Sequence, residues 1–354
     1  LRLTANFNDD QFIANLSIED KVISASSSFA FTQEQSQNKY QFDLDLNQLN
    51  LHLFDSQLGG GKAIYSGNLN LFLVGNTFDE LQGNLLFKDL KFENKTESDL
   101  FNDFILEVSS KDRKRLIRTI NSDLMDIRIE GEFQLSKLIP LFNNAFAEVF
   151  PFFEKHKLLT EQDLSYYIGV ETDHLTAIFP TLTIDKKAEF RGILSTEEHV
   201  SKMNLNVPKI SYKGINIDNL ELQLDNQNPL FNSFLSIGKI YNDSYILTDF
   251  NTLGIKREDT LLFRTEFFGR NDKKDTYEFN YALRLDKNES FLMLKPSVVD
   301  FGDLRWRLNP NDDERHLISF DRLSKEIVLN FISAQSGDAL IEAQANYTAS
   351  QNFS

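Results

Sequence analysis

The chain contains no cysteine, which removes disulfide staples, thiolate catalysis, iron–sulfur ligation and cysteine zinc sites together. It has only 15 glycines and 7 prolines in 354 residues, too few for a collagen-like or low-complexity disordered chain. Positive charge is short as well. Lys and Arg number 37 against 53 Asp and Glu, and a net charge of −16 leaves no basic footprint for nucleic acid. No apolar run reaches the roughly 18 residues of a membrane-spanning helix. The opening Leu1-Arg2-Leu3-Thr4 has neither an initiator Met nor a signal-peptide layout, so the chain reads as an internal fragment of a longer protein.

Phenylalanine, by contrast, is abundant: 32 residues, against one Trp and three Met, so many large apolar rings need a place to go. Their spacing supplies it. Tyr277, Phe279, Tyr281, Leu283 and Leu285 alternate with Thr276, Glu278, Asn280, Ala282, Arg284 and Asp286, the period of a strand with one dry and one wet face. Ile127, Ile129, Phe133 and Leu135 alternate in the same way with charged or amide residues. Gly131 takes the remaining apolar slot, as at a bend or a close backbone approach. Further strands are expected at Phe12/Ala14/Leu16/Ile18, Phe42/Leu44/Leu46, Leu69/Leu71/Leu73, Phe104/Leu106/Val108, Met203/Leu205/Val207 and Leu220/Leu222/Leu224. The apolar phase slips by one residue across Asn47-Gln48, and again between Ile217 and Leu220, where bulges or tight turns would restore a common face. Short polar turns at roughly 10 to 14 residue intervals imply about 25 to 30 antiparallel strands. Stacked at ~4.8 Å per strand, they would form a body on the order of 100 Å long.

One stretch, about residues 138–167, breaks the pattern. Leu141/Phe142, Ala145/Phe146 and Val149/Phe150 fall at helical spacing, with Pro140 suited to the first helical position and Pro151 ending the turn. A second helical piece is expected after Thr160 as N-cap, with Asp163 three residues on. The whole insertion is expected to cap or plug the sheet with its apolar face.

Catalytic and metal motifs fail on inspection. Gly59-Gly60-Gly61-Lys62 lacks the upstream Gly and the following Ser or Thr of a phosphate loop, since positions 56 and 63 are Ser and Ala. His52, His156, His174, His199 and His316 never fall at metal-pair spacing and are expected at the surface or at strand edges. Asp9-Asp10 and Asp312-Asp313-Glu314 lack a calcium loop's alternation and read as solvated turns. No Gly-x-Ser-x-Gly occurs, and the Asn94-Lys95-Thr96 sequon carries no weight in an Asn- and Ser-rich chain. No catalytic, metal or cofactor residue is assigned, and the chain is expected not to be an enzyme.

Several stretches together carry a resemblance. They are Tyr65-Ser66-Gly67-Asn68-Leu69-Asn70-Leu71, then Leu81-Gln82-Gly83-Asn84-Leu85, then Ser122-Asp123-Leu124-Met125-Asp126 running through Gly131-Glu132-Phe133 into Leu138-Ile139-Pro140 and the Phe-rich helix. Phe301-Gly302-Asp303-Leu304-Arg305-Trp306 and the pair of strands within 327–345 follow. This order resembles the TamB (translocation and assembly module) family of the AsmA-like superfamily, in its long Bacteroidota form. The resemblance implies a periplasmic protein, anchored at full length in the inner membrane. It also implies an all-β fold, an elongated, curled antiparallel β-sheet groove of U-shaped ("β-taco") section in one continuous segment, and a TamA- or BamA-like outer-membrane barrel as partner.

Three functions fit these features. A lipid conduit would hold phospholipid acyl chains on the dry face at ~0.8 kcal/mol per buried CH₂. Its expected lining is Phe42, Leu44, Leu46, Leu69, Leu71, Leu73, Ile127, Ile129, Phe133, Leu205, Leu222, Phe279, Tyr281 and Leu283. An assembly factor would offer strand edges or the same groove to outer-membrane proteins. A structural all-β solenoid would close those residues into a filled core, which is the commoner fate of such a pattern.

Overall fold

The computed structural model describes all residues except 51–63, 94–97, 151–152, 154, 171–181, 186, 270–274, 287, 322 and 349–354. The glycine run at 59–61, His52, His174, Pro151 and the Asn94 sequon lie outside the described residues. The protein is all-β: the described residues form twenty-five strands and a single α-helix, and every strand pairing is antiparallel. By its contacts the chain divides into two compact units. The first is Leu1–Leu141, Lys157–His199 and Val207–Lys213; the second is Phe142–His156, Val200–Asn206 and Gly214–Ser354.

In the first unit, strands β1 (Arg2–Asn8), β2 (Gln11–Glu19), β3 (Ile23–Gln33), β4 (Asn38–Leu49), β5 (Ile64–Val74) and β6 (Gln82–Glu93) pair in sequence order. The meander continues through β8 (Phe104–Lys111), β9 (Lys114–Ile120), β10 (Met125–Glu132), β11 (Asp163–Val170) and β13 (Ala188–Ser195). The short β7 (Ser98–Leu100) pairs with the end of β6, and β12 (Leu182–Asp185) pairs with Lys209–Tyr212 of β14 (Val200–Tyr212). Where only two to four residues intervene, as between β1 and β2, β2 and β3, β3 and β4, and β8 and β9, the strand folds straight back on its predecessor. Between β8 and β9 the two turn residues, Asp112 and Arg113, both adopt positive φ (52° and 70°), matching the twist of the hairpin.

Alternation is plain in β2, where exposed and half-buried residues succeed each other along the entire strand. The expected slip at Asn47-Gln48 is a bulge in β4, seen against both β3 and β5. The slip expected between Ile217 and Leu220 is not one. The register there runs unbroken, and Asn219 instead takes a left-handed conformation (φ 55°) beside Gly238.

A buried guanidinium ties the irregular parts of this unit to its sheet. Arg115 of β9 donates to the carbonyl oxygens of Leu81 (2.9 Å) and Asp79, while the Asp79 carboxylate accepts from the Ser136 amide (2.8 Å) and hydroxyl (2.9 Å). Burial pulls the Arg115 pKa below its ordinary value, opposed by Asp79. Arg115→Leu would strand two carbonyls and is expected to cost about 3 kcal/mol in urea unfolding; Arg115→Lys, without the planar fork, should recover only part. Equal midpoints for wild type and Arg115→Leu would refute this.

The helix, α1 (Leu138–Val149), follows a 3₁₀ turn at Leu135–Lys137 and buries Leu141, Ala145 and Val149 at i, i+4 spacing. Pro140 is its third residue, still in the first turn, where a missing N–H costs nothing. The helical insertion is shorter than expected. Asp163–Val170 is a strand, and Thr160 caps no helix; its hydroxyl accepts from the Gln162 side chain (2.7 Å). Gln162 is buried and its Oε1 accepts the Gln134 amide (2.8 Å), so this segment serves to start β11. Likewise β10 ends at Glu132, leaving Phe133 just beyond the strand and Leu135 in the 3₁₀ turn.

The second unit begins its sheet with β15 (Ile215–Asp225), β16 (Ser233–Tyr241), β17 (Ile246–Arg257), β18 (Thr260–Gly269) and β19 (Asp275–Leu285) in order. Beyond β19 the ladder forks. One end of β19 pairs with β20 (Glu289–Leu294) and then β23 (Leu317–Asp321); the other pairs with β21 (Ser297–Phe301) and then β22 (Leu304–Leu308). Both branches rejoin on β24 (Glu326–Ser336), which pairs with β25 (Ala339–Thr348). The seam between the branches is filled by buried polar groups. Asn309 donates to the carbonyls of Leu294 (2.7 Å) and Asp313 (3.1 Å) and accepts the Asp313 amide (2.6 Å). His316 is buried in this seam, not at an edge as expected. Its Nε2 accepts the Ser333 amide (3.0 Å), which leaves Nδ1–H to donate to the Asp313 carbonyl (3.1 Å).

Candidate functional site

Register places the alternate apolar residues of successive strands in rows across the sheet. In the first unit one row runs Leu3, Leu16, Ser27, Leu44, Leu69, Phe87 and Phe104. The next runs Ala5, Ala14, Phe29, Phe42, Leu71, Leu85 and Leu106, and a third passes through Phe31, Tyr40 and Leu73. Ring contacts knit neighbouring strands: Phe31 with Tyr40 (5.3 Å) and Phe87 stacked on Phe104 (4.4 Å). Burial against Phe92 pushes the pKa of the half-buried Tyr65 phenol up to about 12.

How deeply this face is covered changes along the unit. From β2 to β6 most of its residues are half-buried: Phe42, Leu44, Leu46, Leu69, Leu71 and Leu73 all keep part of their surface in solvent, while Ala25 of β3 and Phe92 of β6 are buried. From β8 onward Phe104, Leu164, Tyr166 and Leu194 are buried. Ile127 stays half-buried, while Ile129 (8% exposed) and Phe133 (7%) belong to this closed part, so two of the expected lining residues are core. The opposite, wet face of β3 to β5 holds Ser26, Ser28, Asp43, Asp45, Asn68 and Asn70 around a concavity of about 630 Å³.

In the second unit a row runs Leu222, Leu235, Thr252, Thr265 and Phe279, flanked by one that ends Phe263, Tyr281, Leu294. Leu222, Phe279, Tyr281 and Leu283 are thus brought onto one face and are half-buried, as is Leu205 on β14. Phe279 and Tyr281 line an apolar cavity of about 370 Å³ with Phe250, Leu292, Leu294, Ile318, Ile332 and Thr265. Phe250 lies on β17 and Ile332 on β24, five strand spacings apart, or roughly 24 Å in a flat sheet. Both touch one cavity, so the sheet of this unit curls toward its dry face. Elsewhere on β17, Lys256 donates to the Glu148 carbonyl (2.9 Å) in the last turn of α1, a cation at the negative end of the helix.

Sequence reasoning missed Thr252 and Thr265, buried hydroxyls in dry-face slots; the signal available was two Thr in the alternate apolar set of successive strands. Among the described residues no cluster of three or more His, Cys, Asp or Glu is placed to hold a metal ion. The chain is thus an all-β protein whose apolar sheet face is half-buried across β4 and β5. No family model, no curated protein and no solved structure matches it.

Proposed function

We propose that the chain is a non-enzymatic lipid conduit, a segment of a periplasmic bridge that carries phospholipid between inner and outer membranes. The observation that carries this reading is the half-buried state of the dry face across β4 and β5. A closed sandwich would bury Phe42, Leu44, Leu69 and Leu71, and a soluble surface would not align them in rows. Acyl chains laid along those rows would remove the remaining apolar surface from water, with headgroups left at the rim. The order of strands and helix resembling the TamB family supports the same reading, along with an outer-membrane TamA- or BamA-like barrel as the full-length protein's partner.

A second reading draws on the same face. An assembly factor would use the same half-buried rows, Phe42 and Leu71 among them, to receive segments of outer-membrane proteins.

Photo-crosslinking residues at Leu44 and Phe279, with Asp43 and Glu278 as wet-face controls, separate the readings. Irradiation in cells is expected to give phospholipid adducts at Leu44 and Phe279 and none at the controls. Adducts to unfolded outer-membrane proteins would favour assembly, and no adduct at any position would defeat both.

A further inference from the structure

The second unit's cavity has one polar corner. Thr252 Oγ1 lies 2.9 Å from Thr265 Oγ1, which lies 3.3 Å from the Tyr281 hydroxyl. Thr252 and Thr265 are directly cross-strand and buried; Thr265 and Tyr281 line the cavity, and Thr252 sits behind them. Each hydroxyl carries one proton, and the two contacts consume two of the three. The backbone of Thr252 is engaged in the sheet on both sides, by Leu235 and Thr265. The proton left over is therefore best used at the other end, where Tyr281 meets the cavity.

That end selects a ligand by its chemistry. It offers a single donor to an acceptor oxygen, in a cavity whose remaining walls are Phe250, Phe279, Leu292, Leu294, Ile318 and Ile332. No charged side chain lines it, and Lys256, the cation on the same alternate set of β17, is engaged by the helix. An anionic carboxylate would enter without a counter-charge, at a cost one hydroxyl does not offset. An ester carbonyl enters uncharged and needs only one donor. At about 370 Å³ the cavity is at the small end of the range for small-molecule sites, sized for part of one chain and not for a polypeptide segment.

We propose that this cavity is a discrete acyl-ester site, in which Tyr281, backed by Thr265 and Thr252, donates to the ester carbonyl of one glycerolipid chain. This deepens the lipid-conduit reading and rests on it: the dry face would hold chains without selection, and this corner would distinguish an ester from a free fatty acid.

Calorimetric titration of the intact chain with monolauroylglycerol, laurate and dodecanol acetate at pH 8 tests it. Both esters are expected to bind about tenfold more tightly than laurate. Tyr281→Phe is expected to weaken ester binding by about fivefold, with Thr265→Val, which breaks the relay without touching the ring, lowering it in the same direction. Laurate binding should change little in either variant, and unaltered thermal unfolding would show that the cavity is intact. Ester binding unchanged in Tyr281→Phe, or laurate bound as tightly as the esters, overturns the site while leaving the conduit reading to the crosslinks at Leu44. Failure of all three probes to bind overturns the site too, and if lipid adducts are also absent at Leu44 and Phe279, the conduit falls with it.

Discussion

Gly131→Ala is expected to destabilise the first unit by about 3 kcal/mol or more. Gly131 pairs with Leu164 across β10 and β11 at φ 153°, a backbone state that side chains rarely adopt. A Cβ built there would lie 2.0 Å from the Asp163 carbonyl oxygen and 2.7 Å from the Leu164 Cα, and both are backbone atoms. Relief would require opening the pair beside Leu164, which is buried on its own face. Gly214→Ala provides the comparison. Gly214 also has positive φ (81°) but open space around it, so its replacement should cost only the left-handed strain of roughly 1–2 kcal/mol. Urea midpoints for the two variants read the difference, and equal midpoints would show that the close approach at Gly131 contributes nothing.

The close approach at Gly131 was legible because a glycine stood in an apolar slot of an otherwise regular alternation, and the Asn47 bulge was legible because the phase of leucines slipped there. Such signals are local, and strand periodicity is a local property of the backbone. What stayed hidden depends on distant partners. Thr160 and Asp163 have the spacing of a helix start, yet the buried Gln162 side chain reaches the Gln134 amide and commits the segment to a strand. His316 looked like an edge residue because the groups that bury it, at Asp313 and Ser333, converge only when the two branches of the ladder meet on β24. Alternation names the dry face but not its depth, so Leu44 and Ile129 appeared equivalent although one is half-exposed and the other is core. The cavity beside Tyr281 required the curl that brings β17 and β24 together, and no window of sequence contains it.

That difference in depth yields the sharpest functional test. Leu44→Lys is expected to leave stability within about 1 kcal/mol of wild type, because a half-exposed position lets the long stem lie on the face while the ammonium reaches water. Leu261→Lys, at a position 1% exposed between Leu283 and Lys256, should cost roughly 4 kcal/mol, since an unpaired ammonium there stays in the protein interior beside another cation. On lipid capture the order reverses in meaning. A charge at position 44 faces Ser27 on one side and Leu69 on the other, in the middle of the row proposed to carry acyl chains. With a crosslinker at Leu69, lipid adducts should fall on the order of tenfold in the folded Leu44→Lys protein, because an acyl chain crossing that row must strip water from the ammonium. If Leu44→Lys were as destabilising as Leu261→Lys, the face would be a closed core and no path for lipid would exist on it. If it folded normally and captured lipid at Leu69 as wild type does, the row would be open yet not the path. Only a stable protein with the row blocked fits a conduit, since an open groove tolerates a charge structurally for the same reason that it fails to conduct past one.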